Sequence, residues 1–393
     1  MLLKTLTYQD KSTGWTLQNL RLDRFNLLVG ASGVGKTRIL RAVRQIRTTA
    51  FSRTPDAGLV TGTSADVAIS FTLTFEHQGQ DYTWEFESEP RDENEAVIPR
   101  HPNLRVPKTV VSRERLTSAT EGVLIERHPH SFVFRGNELP QLNRSESALV
   151  LVDEPSVQQV SSALFRFLLD NPSLSTSDSF LGSLVGRLLS ESTPKSELRL
   201  RLFSLGSATT TKAFVLQERF PEDFASIKEA FIEIFPSVQD VSVAKLPIGS
   251  SSEGEQHFTL RFELKEQDVP VRIPAEDFSS GMLRTLIHLV DLWLAPPGTV
   301  VLIDEFENSL GVNCMGPLTE FIQSRASELQ FIITSHHPYI INQIPKSYWK
   351  VVRRKGSVVR VTPASEIRAL QGTSAQDDFT RLLNSPEFEE GLA

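Results

Sequence analysis

The sequence contains very little cysteine. Cys314 is the single cysteine among 393 residues. A disulfide needs two cysteines and a cysteine-based metal cluster needs several, so the chain can form neither within itself. This composition suits a reducing compartment, and we expect a cytoplasmic protein.

Long apolar runs are also missing. No stretch approaches the ~20 apolar residues that a membrane-spanning helix needs, and nothing resembles a signal peptide, so we expect no membrane partner. With 39% hydrophobic and 23% charged residues, the composition is that of an ordinary globular protein. At ~100–200 residues per domain, this length predicts two domains or one large domain with an insertion.

The chain lacks an excess of positive charge. Its net charge is −7, so the composition as a whole is not typical of nucleic-acid binding. The charge is uneven, because residues 1–53 contain ten Lys or Arg and only two Asp. This basic stretch is either a solvated face or a surface that follows a phosphate backbone, so DNA remains open as a partner.

Several patterns typical of other enzymes and of fibrous proteins are absent. There is no Asp-x-Asp pair, no histidine cluster at metal-binding spacing and no Cys/His nucleophile arrangement. Sustained heptads are absent too, which excludes a long coiled coil. The chemistry must therefore come from the motifs that are present.

The most informative segment is residues 30–37, Gly-Ala-Ser-Gly-Val-Gly-Lys-Thr. The apolar run Phe25–Val29 predicts a buried strand before it, and apolar residues at helical spacing predict a helix after it. Glycines let backbone N–H groups face the β- and γ-phosphates, while Lys36 supplies a cation and Thr37 a hydroxyl for Mg²⁺. A glycine-rich turn without a ligand is the alternative. The candidate ATP-binding residues here are Gly30, Ala31, Ser32, Gly33, Val34, Gly35, Lys36, Thr37 and Arg38.

A second motif ends the apolar run of residues 299–303. Such a run predicts a central strand of a mostly parallel sheet, and Asp304 and Glu305 follow it directly. Ligands of open α/β sheets bind at the carboxyl ends of the strands. We expect Asp304 to hold Mg²⁺ and Glu305 to polarise the attacking water. The alternative is a buried strand that happens to end in an acidic turn.

A third motif follows the apolar run of residues 329–334, which predicts a neighbouring strand. His336 lies just past this strand, where it can reach a γ-phosphate, although a lone histidine more often has a structural role. We favour His336 over His337, because Pro338 is expected to begin the next helix and to turn His337 aside.

A fourth motif, residues 278–282, opens an amphipathic helix. Ser279 is a suitable N-cap, which is the purely structural interpretation. In the functional interpretation this helix N-terminus binds an anion, because its free N–H groups and its dipole favour negative charge. The candidate residues are Ser279, Ser280 and Gly281.

Residues 150–154, Val-Leu-Val-Asp-Glu, repeat the pattern of the second motif. No histidine lies between them and His257. Ser145 and Ala148, after a polar stretch, predict the capped start of a helix here. We interpret this carboxylate pair as a false match, since isolated motifs often arise by chance.

Taken in order, the four motifs resemble those of the ABC-type ATPases. Residues 30–37 match Walker A, 300–305 match Walker B, 278–282 stand where the signature sequence belongs, and 334–338 match the switch segment. The Ser-Ser-Gly-Met signature is similar to that of the soluble branch, of AAA_21 type. That branch includes structural-maintenance-of-chromosomes proteins, overcoming-lysogenization-defect proteins and ATPases of bacterial anti-phage systems. The chain departs from the pattern at Gly311, where the dimer-contacting loop usually ends in Asp.

The resemblance implies an α/β fold: an ABC-type P-loop ATPase head with a mixed central sheet and an inserted, mainly helical lid or arm. Residues 1–114 and 276–393 would form the two parts of the head, and residues 115–275 the insertion. It implies ATP and Mg²⁺ as ligands. The implied site residues are Glu305 and His336 for catalysis and Thr37 and Asp304 for the metal.

The remaining elements are predicted from periodicity and turn residues. In the N-terminal part, two antiparallel strands lie within residues 66–88, turned at Gln78 and Gly79, and a third strand covers 106–112. The insertion contains helices over 157–169, 180–189 and 224–235, a hairpin over 258–273 and a loop at 250–254. A strand pair around 353–357 and a helix at 377–383 follow.

The resemblance further implies a homodimer or dimer-based oligomer, in which Ser279 and Gly281 of one subunit complete the ATP site around Lys36 of the other. Only 57 residues follow His336, too few for an appended nuclease of the overcoming-lysogenization-defect type. We therefore expect an ATPase subunit that senses or regulates and controls a separately encoded nuclease or toxin, as in Septu-like or phage anti-restriction-induced systems. A DNA-repair or chromosome-organisation ATPase, or a nucleotide-gated scaffold with little hydrolysis, remains an alternative.

Overall fold

The computed structural model describes most of the chain as two compact units. The described residues are 1–51, 67–92, 108–169, 177–181, 193–204, 209–250 and 256–367, with Leu189, Leu370 and Arg381. The first unit combines Met1–Phe167, Gly298–Glu305 and Gln330–Ala393, and the second combines Leu168–Pro297 and Phe306–Leu329.

Four parallel strands form the centre of the first unit. They are β3 (Phe25–Val29), β15 (Val300–Ile303), β16 (Gln330–Thr334) and β17 (Trp349–Lys355), in the order β15-β16-β3-β17. Every residue of β3, β15 and β16 is buried, which is why these segments are almost purely apolar. The strands predicted before the phosphate loop, the Asp-Glu pair and His336 are confirmed.

Beyond β17 the sheet continues as a long extension. Its strands are, in sheet order, β18 (Val358–Pro363), β2 (Trp15–Arg21), β1 (Leu2–Asp10), β4 (Ile69–His77), β5 (Gln80–Pro90), β6 (Thr109–Ser118), β7 (Gly122–His128), β8 (Ser131–Phe134) and β9 (Asn137–Leu139). Neighbouring strands are antiparallel except β18 and β2, which are parallel. The predicted mixed α/β class is confirmed.

The β4–β5 hairpin shows why this extension forms. Its apolar residues alternate with polar ones, and Phe71 stacks on Phe86 across the strands at 5.3 Å between ring centroids. Gln78 and Gly79, at the turn, have positive φ angles of 53° and 77°, the twist that suits a two-residue hairpin loop. The two strands and the turn predicted for residues 66–88 are confirmed.

The first unit also contains α-helices. They are α1 (Lys36–Phe51), α2 (Ala148–Leu151), α3 (Pro155–Phe165) and α9 (Pro338–Gln343). The predicted apolar face of α1 is buried, with Ile39, Val43 and Ile46 at 1% exposure or less, and α1 contacts α2 and α3. The helix predicted after the phosphate loop is thereby confirmed.

A buried carboxylate anchors the start of α2. Glu114, which is fully buried, accepts hydrogen bonds from Trp84 Nε1 at 3.2 Å, from Ser147 Oγ and from the N–H of Ala148 at 2.7 Å. The Arg127 guanidinium, also buried, lies 3.7 Å away. Desolvation raises the pKa of Glu114, although these hydrogen bonds and Arg127 oppose that shift.

The second unit contains five longer helices and a small sheet among its described residues. The helices are α4 (Lys195–Ser204), α5 (Thr209–Arg219), α6 (Pro221–Ile234), α7 (Ser280–Leu294) and α8 (Val312–Ser324). In the sheet, β13 (Gln256–Glu266) lies between β11 (Ser177–Leu181) and β12 (Val238–Ser250), and β14 (Ile273–Pro274) pairs with β13. The remaining strand, β10 (Phe167–Leu169), spans the boundary between the units.

A side-chain amide protects one edge of the small sheet. Gln217 of α5 accepts the N–H of Val243 at 2.8 Å and donates to the Val243 carbonyl at 3.2 Å. Val243 lies in β12, whose backbone pairs with β13 on its other side. The amide thus takes the position that a further strand would need at this point.

Several predicted elements need correction. The helix predicted over 157–169 ends at Phe165, and β10 follows it, while the first residues of the helix predicted over 180–189 belong to β11. The hairpin predicted over 258–273 exists only as the short β13–β14 pair, because β13 pairs mainly with β12. The start of the insertion predicted to be mainly helical, residues 115–139, continues the antiparallel sheet.

The predicted division at residues 114 and 275 remains a prediction, and the compact units have other boundaries. Most of the segments 180–189, 250–254 and 377–383, predicted as a helix, a loop and a helix, lie outside the described residues. The third predicted N-terminal strand is present as β6, three residues later than expected. Among the described helices, none has the length and apolar character needed to cross a membrane.

We expect that Glu114→Ala lowers the free energy of unfolding by about 3–5 kcal/mol, because it leaves the buried Arg127 charge without its partner. Urea unfolding followed by circular dichroism measures this. Glu126→Ala is the matched control, since Glu126 is half exposed and lies 4.0 Å from Arg115. That change should cost at most about 1 kcal/mol. Equal losses in both variants would show that the buried pair does not anchor this region.

Candidate functional site

The carboxyl ends of β3, β16 and β15 meet at one edge of the sheet in the first unit. Ile303 lies opposite Ile333, and Thr334 lies opposite Leu28. The three predicted segments that begin at Gly30, Asp304 and Ser335 therefore leave the sheet side by side. Sequence reasoning placed these segments at a common edge, and the structure brings them together there.

The phosphate loop has a backbone that requires glycine. Gly30, Gly33 and Gly35 have φ angles of 154°, 85° and 104°. A Cβ atom on Gly30 would also lie 2.6 Å from the Val352 carbonyl oxygen, so the loop lies directly against β17. The helix α1 begins at Lys36, immediately after this loop. The strand–loop–helix arrangement of an anion-binding site is present.

Lys36 lies across the mouth of the loop. Its Nζ donates hydrogen bonds to the carbonyl oxygens of Gly30 at 2.7 Å and of Ala31 at 2.9 Å. Both acceptors are neutral, whereas a phosphate group carries negative charge and would bind the ammonium group more strongly. The lysine can therefore exchange these carbonyl contacts for a phosphate.

Thr37 and Asp304 face each other across the site. The Thr37 hydroxyl donates to Asp304 Oδ1 at 3.1 Å, and the Thr334 hydroxyl donates to the same oxygen at 2.6 Å. Hydroxyl and carboxylate oxygens are hard ligands of the kind that Mg²⁺ prefers, and Mg²⁺ commonly takes only one or two protein ligands beside water and phosphate. The donor set fits Mg²⁺. No group of three or more His, Cys, Asp or Glu that could hold a metal occurs among the described residues.

Glu305 has an unusual backbone conformation. It is exposed, and its φ angle is 46°, in the left-handed region that costs a non-glycine residue roughly 1–2 kcal/mol. Its N–H donates to Thr334 Oγ1 at 2.7 Å, which holds this conformation. Strain of this kind often accompanies a functional side chain, and here it turns the chain sharply just after β15.

Thr334 is the contributor that sequence reasoning missed as a site residue. Its hydroxyl donates to Asp304 and accepts from Glu305, so it joins the two acidic residues. The signal that was available is its position as the last residue of β16, beside β15. Which way its hydroxyl points could not be inferred from that position.

The two histidines after β16 differ in their environment. His337 caps α9, because its Nδ1 accepts the N–H of Tyr339 at 3.3 Å and Pro338 begins the helix as predicted. His336 is exposed at the edge where the loop and the Asp-Glu pair lie. The geometry keeps His336 as the candidate, and its contact with a γ-phosphate remains a prediction.

Arg38 contacts the β1–β2 segment and Trp15. Its Nη2 donates to Asp10 Oδ2 at 3.0 Å, and its guanidinium lies 5.0 Å from the centre of the Trp15 ring. Hydrogen bonds from Ser12, Thr13 and Arg38 outweigh desolvation and lower the pKa of Asp10, so this carboxylate stays charged. Arg38 thus ties the β1–β2 turn to α1.

The signature-like segment lies in the second unit. Ser279 caps α7 as predicted, since its Oγ accepts the N–H of Met282 at 3.2 Å, and Ser280 begins the helix. Gly281 is buried, and a Cβ there would lie 3.3 Å from both the Ser309 carbonyl oxygen and the Gly311 nitrogen. The lack of a side chain at Gly281 lets these two segments of the unit approach closely.

The repeated Asp-Glu pattern at residues 150–154 does not form a strand. Ala148–Leu151 is the short helix α2, as predicted, but its cap is Ser147 and not Ser145. Glu154 caps the next helix by accepting the N–H of Ser156 at 2.9 Å. Its carboxylate therefore has a structural role at a helix start.

A family model described as "AAA domain, putative AbiEii toxin, Type IV TA system" (AAA_21) matches residues 25–342. The chain belongs to the AAA_21 family. The match includes every candidate residue named above from Gly30 to His336. The family assignment implies a P-loop domain that binds a nucleotide, in agreement with the loop geometry.

Solved structures similar to this AAA_21 chain include three heads of structural-maintenance-of-chromosomes proteins. One, bound to the C-terminal winged-helix domain of ScpA, has 14% identity, a TM-score of 0.47 and coverage of 92% of this chain and 97% of that chain. The Thermotoga maritima head has 11% identity, a TM-score of 0.42 and coverage of 92% of this chain and 99% of that chain. A third is a head with an extended coiled coil, bound to the C-terminal domain of ScpA, from Pyrococcus furiosus. It has 14% identity, a TM-score of 0.45 and coverage of 92% of this chain and 96% of that chain. No curated protein matches.

We expect Thr334→Val to lower kcat/KM for ATP by about 10–100-fold, because Asp304 loses a charged hydrogen bond and the Glu305 N–H loses its acceptor. A coupled phosphate-release assay measures this. Thr319→Val is the control, since Thr319 is equally buried and donates only to the Met315 carbonyl within α8. Wild-type turnover in Thr334→Val would separate this hydroxyl from the chemistry.

Proposed function

We propose that this chain binds and hydrolyses ATP as an ABC-type ATPase subunit. The observation that carries the proposal is the meeting, at one sheet edge, of the glycine loop, Lys36, the hydrogen-bonded pair Thr37–Asp304, and Glu305. A loop that cradles phosphates and a carboxylate that can orient water are the parts that phosphoryl transfer needs. Membership of the AAA_21 family supports the same reaction.

Each residue has a separate task in this mechanism. The loop N–H groups and the α1 N-terminus bind the phosphates, and Lys36 exchanges the Gly30 and Ala31 carbonyls for phosphate oxygens. Thr37 and Asp304 would hold Mg²⁺, which neutralises charge on the phosphates. Glu305, exposed at the site, accepts a hydrogen bond from the attacking water and directs it, and His336 contacts the γ-phosphate.

We expect Glu305→Gln to bind ATP normally and to lower turnover by ~10²-fold or more, the usual scale for loss of a positioned base. Calorimetry and phosphate release measure the two effects. Glu154→Gln is the matched control, because Glu154 follows the repeated Asp-Glu pattern but caps a helix. Loss of turnover in Glu154→Gln alone would overturn the assignment. Slow turnover in both wild type and Glu305→Gln would favour the nucleotide-gated scaffold.

We further propose that two copies assemble around ATP. A helix N-terminus such as that of α7 gains from its dipole when a phosphate reaches it, and in ABC-type dimers that phosphate is held by the other subunit. Ser279, Ser280 and Gly281 of one copy would then complete the site around Lys36 of its partner. ATP should tighten the dimer because it fills the interface.

Mixing a Lys36→Ala chain with a Ser279→Arg chain tests this arrangement. Each mixed dimer should keep one intact composite site, so ATPase activity should recover to about half per dimer, whereas either variant alone stays inactive. Co-purification of two variants that carry different affinity tags confirms that the mixed dimers form. No recovery in proven mixed dimers, or a monomer at all ATP concentrations, would overturn the composite site.

We propose that the output passes to a separately encoded nuclease or toxin in anti-phage defence, as in the Septu-like or phage anti-restriction-induced systems. The description of the family, which names a putative toxin of a toxin–antitoxin system, supports a link to such systems. Cells that carry this gene with its neighbouring genes should resist phage infection, and Lys36→Ala should abolish that resistance in plaque assays. Equal plaque numbers with wild type and with an empty vector would contradict the defence role.

Direct action on DNA is the second candidate, and α1 carries the observation that favours it. This helix contains Lys36 and four arginines but no acidic residue. Arg41 and Arg44 are exposed and make no ion pair within the part of the chain that the structure describes. Duplex DNA binding that weakens steeply with salt and depends on these two arginines would favour this role over control of a separate effector.

A further inference from the structure

The hairpin of β17 and β18 forms one wall of the phosphate loop. Gly30 lies against the Val352 carbonyl, and a Cβ on Gly35 would lie 3.4 Å from Val359 Cγ2. Val352 and Val359 are both buried. The first and last glycines of the loop are therefore in contact with this hairpin. Side chains at the hairpin tip consequently lie close to the loop apex.

Arg354 lies at that tip and reaches the apex. Its Nε donates to the Gly356 carbonyl at 2.7 Å, within the hairpin, and its Nη1 donates to the Gly33 carbonyl at 3.4 Å. The first bond fixes the guanidinium on its own turn, so the second contact needs little further ordering of a long side chain. Gly33 has a φ angle of 85°, and a Cβ there would meet no other heavy atom within 4 Å, so the apex backbone is open on that side.

The contact with Gly33 determines where the next N–H points. The peptide between Gly33 and Val34 is planar and trans, so its carbonyl and its N–H point in opposite directions. A carbonyl held by Arg354 therefore leaves the Val34 N–H pointing away from the guanidinium. Val34 itself is buried, which fixes the following residue. The guanidinium thus orients one of the N–H groups that a phosphate-binding loop offers.

Among the described residues, no carboxylate pairs with Arg354. In the described ranges its polar contacts are the two carbonyl oxygens of Gly33 and Gly356, and it makes no ion pair. Its positive charge therefore adds to the potential at the loop, which favours an anion. By contrast, Arg38 is paired with Asp10.

We propose that Arg354 is a positioning residue of the nucleotide site, which holds the loop apex in its phosphate-binding conformation and raises affinity for nucleoside di- and triphosphates. The proposal rests on the proposed function, since it assumes that the loop binds a nucleotide. Because Arg354 acts through the loop and not on one phosphate, it affects ADP and ATP alike. It changes binding and not the bond-breaking step.

Titration calorimetry with Mg²⁺-ADP and Mg²⁺-ATP tests this on the full chain. Arg354→Ala should raise the Kd for both nucleotides by up to about tenfold, the scale of one hydrogen bond, and should raise KM while kcat stays unchanged. Arg354→Lys keeps the charge and should recover part of the affinity. Arg360→Ala is the matched control, because Arg360 lies in β18, is exposed and bonds Gln18 at 2.9 Å, and it should bind like wild type.

The outcomes separate this proposal from the proposed function. If wild type binds no nucleotide, the proposed function itself fails. If wild type binds and Lys36→Ala does not, but Arg354→Ala binds as wild type does, only the role of Arg354 is overturned. An equal loss of nucleotide affinity in Arg360→Ala would also overturn the role of Arg354. So would a loss of affinity in Arg354→Ala for ATP but not for ADP. Should Arg354→Ala fail to fold, Arg354→Gln, which keeps a donor and removes the charge, takes its place in the same titrations.

Discussion

The in-register pairing of three parallel strands is the constraint on which the candidate site depends. Because β15, β16 and β3 end within two residues of one another in the strand register, Asp304, Ser335 and Gly30 leave the sheet at one edge. Side chains alternate between the two faces of a strand, so a slip of one residue in β15 would move Asp304 away from Thr37 and expose apolar residues. The burial of all three strands holds the register, and the core therefore determines the geometry of the polar site.

The hydroxyl of Thr334, at the end of β16, orients the side chain of Asp304 and the backbone of Glu305 at the end of β15. One hydroxyl has a single proton to donate, which goes to Asp304, and lone pairs that accept the Glu305 N–H. The orientation of the Asp304 carboxylate and the strained backbone of Glu305 are consequently coupled. A movement of β16 relative to β15 would therefore disturb both at once.

The sequence was sufficient to predict the elements that carry the site, because each combines a buried apolar run with a chemically distinctive end. Gly30–Thr37, Asp304, Glu305 and the cap at Ser279 follow from local patterns. The structure departs from the prediction where a contact between residues far apart in sequence determines the local structure. The cap of α2 is Ser147 because Glu114, 33 positions earlier, accepts its hydroxyl. Arg354 meets the loop across 321 positions. No periodicity signals such pairings.

The strand β12 was missed for a different reason. Its ladder with β13 is interrupted near Val238 and near Gly249, and Pro247 lies within it, so alternation along the segment is irregular. The helical segment before it was easier to predict, because α6 has an apolar face that repeats at helical spacing. Irregular strands whose partner lies nearby in sequence are thus less visible than the buried parallel strands of the core.

The bidentate contact of Gln217 with Val243 has a consequence for how copies of this chain can associate. A β-strand from another molecule could pair with β12 at Val243 only by displacing that amide, and it would then leave the amide with neither of its backbone partners. Polymerisation of the chain by strand pairing at this point of the β12 edge is therefore disfavoured. Pairing between copies of the chain at this part of β12 would therefore require α5 to withdraw Gln217 first.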